Sequence, residues 1–132
     1  IVIGDKLRKE FGKGVLGKRI YEKIMKENVQ LAVVDSLRLI EEVNELKKCG
    51  NSYLIFVDAD VGIRYKRSLE RKRITDNISI EEFKKIEDKE RYGKNTLMKM
   101  EDCFSAADFK IMSNKGIKEL HKKVEEILRK IK

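Results

Sequence analysis

Leu31-Ala-Val-Val-Asp-Ser-Leu-Arg38 is the stretch on which the reading of the whole chain turns. Four apolar residues end abruptly in a carboxylate, Asp35, and an arginine, Arg38, follows three residues later. A continuous apolar run predicts a strand buried on both faces of a parallel sheet, since such strands do not alternate. Open α/β sheets bind ligands outside the carboxyl ends of their strands. An acid placed there holds or orients Mg2+ in phosphoryl-transfer proteins, and a nearby arginine takes phosphate. A second reading stays open beside it, in which a strand simply ends at a polar loop.

Working outward, strands and helices alternate. Residues 1–3 read as the end of a strand. A helical region follows, broken near Gly12 to Gly14, and resumes from Leu16 to about Glu27. After the strand at Leu31 to Val34 comes a helix from Arg38 to Lys48, with Leu39, Ile40, Val43 and Leu46 on one face. Cys49-Gly-Asn51 is its exit turn. Tyr53 to Val57 is a strand and Val61 to about Arg73 a helix. Ser79-Ile-Glu-Glu82 has capping-box spacing and opens a helix through about Arg91. Thr96 to Ala106 reads as helix and Phe109 to Met112 as a short strand. The last helix runs from about Gly116 to Ile131, with Ile117, Leu120, Val124, Ile127, Leu128 and Ile131 on its core face. Strands alternating with helices of this length predict a parallel, doubly wound α/β sheet.

The 132 residues suffice for one domain with a real core, and no linker, repeat or low-complexity tract divides them. Hydrophobic and charged residues each make up 41 %, so the chain is highly charged but too apolar for a disordered one. No apolar run approaches a membrane span and no signal peptide is visible, which predicts a cytoplasmic protein. Cys49 and Cys103 fit no metal spacing and read as reduced thiols. The single histidine, His121, lies in a lysine-rich helix and reads as a surface residue. A net charge of +8 favours an anionic partner, although abundant Lys and Glu also suit a thermophilic surface. An aromatic fraction of 7 % supplies few stacking platforms, which weakens the case for single-stranded nucleic acid.

Arg64, Arg67 and Arg71 are spaced i, i+3, i+7, so one helical face carries three guanidiniums, with Lys66, Lys72 and Arg73 nearby. The face begins just after Val57-Asp-Ala-Asp60, at the carboxyl end of a strand. Arginines gathered on one face need compensation. A phosphate-bearing ligand would supply it, or the face is solvated and paired with Glu70 and Asp76. A decoy sits at Gly12-Lys-Gly-Val-Leu-Gly17-Lys18-Arg19, which satisfies G-x-x-x-x-G-K of the phosphate-binding loop. Arg19 occupies the position of the Mg2+-binding hydroxyl, and charged Asp5-Lys-Leu-Arg-Lys-Glu10 precedes it where a strand is required.

Several of these pieces in order resemble the P-loop nucleotide kinase superfamily of dephospho-coenzyme A kinases and nucleoside monophosphate kinases, and within it an uncharacterised, mostly archaeal kinase-like branch. They are Gly4-Asp5-Lys-Leu-Arg8-Lys-Glu10, Val34-Asp35-Ser-Leu-Arg38-Leu-Ile-Glu41-Glu42-Val43, Asp58-Ala-Asp60 with Arg64-Tyr-Lys-Arg67, Arg71-Lys-Arg73 with Thr75-Asp76-Asn77, Glu81-Glu-Phe83 with Glu87-Asp-Lys-Glu90, and Ala106-Ala-Asp108-Phe-Lys-Ile-Met-Ser-Asn114-Lys-Gly116. The resemblance implies a three-layer αβα fold with a helical lid, its acceptor-binding region at residues 1–30 and its lid at 60–95. It also implies roles. Asp5 would contact the acceptor hydroxyl, and Arg8 and Arg38 the acceptor's phosphate. Asp35 would support Mg2+. Arg64, Arg67, Arg71 and Arg73 would close over the transferring phosphoryl group, and Asn114 and Gly116 would meet adenine.

The family's first strand, phosphate-binding loop and first helix have no counterpart in this sequence. The resemblance therefore implies roughly 30 further N-terminal residues, the size of one strand–loop–helix unit. The expectation is ATP- and Mg2+-dependent phosphoryl transfer to a small phosphorylated acceptor by the whole protein, with the 132-residue stretch inactive alone. The alternative is a non-catalytic basic module that binds polynucleotide or a protein partner through the Arg64–Arg73 face.

Overall fold

The computed structural model describes residues 2–71, 77–93 and 99–132. Helix α1 (Val2–Phe11) carries Asp5 in its first turn and Arg8 and Lys9 in its last, which complements the helix dipole. The expected strand at residues 1–3 is thus replaced by helix from Val2 on. A helix satisfies its backbone groups within itself, whereas a strand needs a neighbour. α1 ends where Gly12 takes the left-handed conformation (φ +99°) and donates its N–H to the Arg8 carbonyl at 3.0 Å. α2 (Val15–Lys26) follows and packs along α3 (Ile40–Lys47). Leu39, Val43 and Leu46 are buried, as the apolar spacing required.

β1 (Ile55–Asp58) and β2 (Phe109–Met112) form a parallel pair, with Ile55 opposite Phe109 and Asp58 opposite Met112. Between them in sequence lie α4 (Val61–Arg71), α5 (Ile80–Tyr92) and α6 (Met100–Ala106), and α7 (Ile117–Ile131) closes the chain. The capping box of α5 forms as the sequence predicts. Ser79 Oγ accepts the Glu82 N–H at 3.2 Å, and Glu82 Oε2 accepts the Ser79 N–H at the same distance. On one face of the sheet Phe56 meets Phe104 of α6 edge to face at 5.2 Å. On β2, Ile111 is buried, and α7 packs beside this strand.

The three-layer αβα sheet of a P-loop kinase is not found among the described residues. Among the described residues the sheet has two strands, set among seven helices. The decisive departure is the opening stretch. Leu31–Val34 is irregular, with Leu31 87 % and Val33 93 % exposed. No described strand lies against it to take its N–H and C=O groups, so its β-forming composition has nothing to pair with. Ser36, at φ +61°, then turns the chain toward α3.

The glycine-rich decoy has a packing role instead. A Cβ on Gly17 would lie 2.3 Å from the Glu42 carbonyl oxygen and 2.7 Å from its Cα, so only glycine lets α2 and α3 approach this closely. Gly17→Ala is expected to destabilise the protein by about 1–3 kcal/mol. The check is urea unfolding, where the midpoint should fall at constant slope. An unchanged midpoint would show that the helices separate freely.

Candidate functional site

The functional candidates gather in three places. The first lies between α1 and α3. Arg8, expected to hold an acceptor phosphate, is buried and donates from Nε and Nη2 to Glu42 Oε1 at 2.8 and 2.7 Å. Its Nη1 reaches Asp5 Oδ1 at 3.3 Å. Glu42, 1 % exposed, accepts with its other oxygen the N–H groups of Arg38 and Leu39 at 3.1 and 3.3 Å. This triad holds helices together, and both Asp5 and Arg8 are engaged in it. The Arg38 guanidinium stands 3.7 Å from Glu90. Asp35 is exposed in the irregular segment. No three His, Cys, Asp or Glu side chains among the described residues are placed to hold a metal ion.

The second place is the carboxyl ends of the two strands, which the loops clasp together. Ser113 N–H donates to the Asp58 carbonyl at 2.7 Å. Asn114 accepts the Asp60 N–H at 2.8 Å and donates to the Asp60 carboxylate at 3.1 Å. Arg67 donates to the Lys115 carbonyl at 3.0 Å. Asn114, expected to meet adenine, thus ties one strand end to the other, and Gly116 caps α7. Arg71 is exposed at the end of α4, and Arg73 lies outside the described residues.

The third place is a cleft of about 390 Å³ between the end of β1, α4, α5 and the start of α6. Two guanidiniums meet here at Asp58. Arg64 Nη1 donates to Asp58 Oδ1 at 2.9 Å, and Arg91 Nη1 to Asp58 Oδ2 at 3.1 Å. Each has a second carboxylate. Arg64 Nε donates to Glu87 at 2.9 Å, and Arg91 Nε to Glu101 at 2.7 Å. Arg64 also bonds the Ala59 carbonyl. The Glu87 hydrogen bond holds the Arg64 guanidinium above its ordinary pKa, against the opposing effect of burial, and Glu101 does the same for Arg91. Compensation for Arg64 therefore comes from Glu87 and Asp58, which sequence reasoning did not anticipate. It also overlooked Arg91. Lys84, Glu87, Asp88 and Arg91 recur at i, i+3, i+4, i+7 along α5, and that spacing places them on one face.

No family model matches the chain, and no solved structure does. It is 32 % identical over 126 residues to a UPF0200 protein of Sulfurisphaera tokodaii, covering 96 % of this chain and 67 % of that protein. The chain belongs to the UPF0200 family. A UPF0200 protein of Saccharolobus solfataricus is 30 % identical over 124 residues, and a UPF0200/UPF0201 protein of Archaeoglobus fulgidus 31 % over 134. The chain spans 63 % and 40 % of those two. The resemblance to P-loop nucleotide kinases is corrected accordingly. The relatives carry the UPF0200 name, no kinase family matches, and the two-stranded sheet is not the kinase one. Among the described residues no helix is long and apolar enough to cross a membrane.

Cys103 is buried, and desolvation, aided by Glu42, Asp102 and Glu41, pushes its thiol to about 11. A raised thiol pKa stabilises the fold below its unfolded value, and that contribution is lost as pH climbs from the ordinary 9.0 to about 11. A thiol reagent at pH 8 should label the partly exposed Cys49 and spare Cys103 until the protein unfolds, as mass spectrometry of the labelled chain would show. For the buried pair, Glu42→Gln should cost about 3–5 kcal/mol, because Arg8 then keeps only the longer Asp5 contact, at 3.3 Å, as a charged partner. The double variant Arg8→Met with Glu42→Leu should cost less than that, as paired urea melts would show.

Proposed function

We propose that the chain binds a small phosphate-bearing molecule in the cleft at the carboxyl end of β1, and that the whole protein uses this site for phosphoryl transfer. One observation carries the reading. Arg64 and Arg91, from different helices, converge on one point at the end of a parallel strand, inside an open cleft. Planar guanidiniums arriving from two directions suit a group with several oxygens, and strand carboxyl ends are where open sheets seat ligands. The side chains present would bind and orient the phosphate, and phosphoryl transfer depends chiefly on positioning and electrostatics. The grip on phosphate is assigned to the two guanidiniums. A nucleoside monophosphate or a dephospho-coenzyme A-like acceptor belongs to the class proposed, and the cytoplasm is the compartment proposed for it.

The test is calorimetric titration of the chain with a panel of monophosphates. At least one should bind with a Kd below about 1 mM, the range usual for enzyme substrates. Arg91→Ala should weaken that binding about tenfold, or about 1.4 kcal/mol. If no monophosphate binds, while polynucleotide binds with a steep loss on adding salt, the basic-module reading replaces this one.

A further inference from the structure

Resting on the phosphate-cleft reading above, we infer that Asp58 is a built-in counter-ion that the ligand's phosphate displaces in order to seat between Arg64 and Arg91.

The hydrogen-bond geometry separates a fixed side of each guanidinium from an exchangeable one. Both arginines are pinned through Nε, Arg64 by Glu87 and Arg91 by Glu101. Both turn Nη1 toward Asp58, one to each carboxylate oxygen. Asp58 thus takes the two bonds that two phosphate oxygens would take, and an exchange leaves the guanidinium planes where they are. The backbone of Asp58 is held by Ser113 across the strand pair, so its side chain alone turns, giving up one further bond, the Ala59 N–H that Oδ1 accepts at 2.8 Å.

Charge makes the exchange necessary. Two guanidiniums face three carboxylates, Asp58, Glu87 and Glu101, which leaves the cluster negative in a chain of net charge +8. A phosphate brought up beside an undisplaced Asp58 would meet a like charge at hydrogen-bond range, in a partly desolvated setting where repulsion is strong. Once Asp58 swings away, the same two donors meet the phosphate with no change in their number. The site is then selective. A bare anion competes poorly with a tethered carboxylate, and a ligand with further contacts in the cleft gains enough to displace it.

Inorganic phosphate and pyrophosphate are titrated calorimetrically into the parent chain and into Asp58→Asn, which keeps a side-chain oxygen but loses the charge. The inference expects Asp58→Asn to bind both at least about tenfold more tightly, a gain of about 1.4 kcal/mol. Arg91→Ala in the same background should abolish the gain. A second readout needs no variant. With carboxyl carbon-13 label in the aspartates of the parent, the Asp58 carboxyl resonance should shift on adding pyrophosphate, with the same midpoint as the heat. If the parent binds but Asp58→Asn binds no more tightly, or the Asp58 resonance stays still while the site fills, the displacement idea is overturned and the cleft reading survives. If neither parent nor variant binds either anion at millimolar concentration, the cleft reading fails with it.

Discussion

The buried pair of Arg8 and Glu42 is the constraint on which the helical half of the molecule depends. Two charges removed from water are tolerable only when nearly every hydrogen-bonding position is used. Glu42 meets that condition. One oxygen takes two donors from Arg8, and the other takes the N–H groups of Arg38 and Leu39. A single carboxylate thereby joins α1 to α3 and fixes the entry of α3. Gly17 brings the α2 backbone onto the same residue from another side. The exposed stretch before α3 ends at this anchor, so the fold resumes its order at Arg38.

The cleft shows the opposite use of charge. Its ion pairs are partly exposed, so they contribute less to stability than the buried pair and can change partner more easily. Counting lysines and arginines over the whole chain gives no forecast of the field there. The surplus of basic residues is spread over surfaces such as α7, while Asp58, Glu87 and Glu101 gather at one strand end. Arg91 and Lys110 also stand over the ring of Phe104, which attracts both cations.

The helices are legible in the sequence because their signals are local. Apolar spacing marks the buried face of α3, and the Ser79–Glu82 box marks the start of α5. β2 reads within its bounds, and β1 is displaced by one or two residues. The segment at Leu31–Val34 misleads because an apolar run states only that a strand could form there, and strand formation also needs a partner edge. The site is half legible. The arginine spacing on α4 is correct, but the partners of those arginines come from α5 and α6, many residues away. The family resemblance assigns Arg8 to a ligand, and nothing in the sequence corrects it, because an exposed and a buried arginine look alike there. Glu42, four residues past Arg38, is the missing half of that pair.

The clasp between the strand ends has a kinetic consequence. The pairing of β1 with β2 joins residues 54 apart, and the Asp108–Leu54 and Asn114–Asp60 bonds share that separation. The α1–α3 unit closes through Arg8 and Glu42, only 34 apart, with two helices that form early by local contacts. Loop closure and contact order therefore favour assembly of the helical half first. The parallel pair zips last in this order, after the bonds that line the cleft, none of which joins residues more than 33 apart.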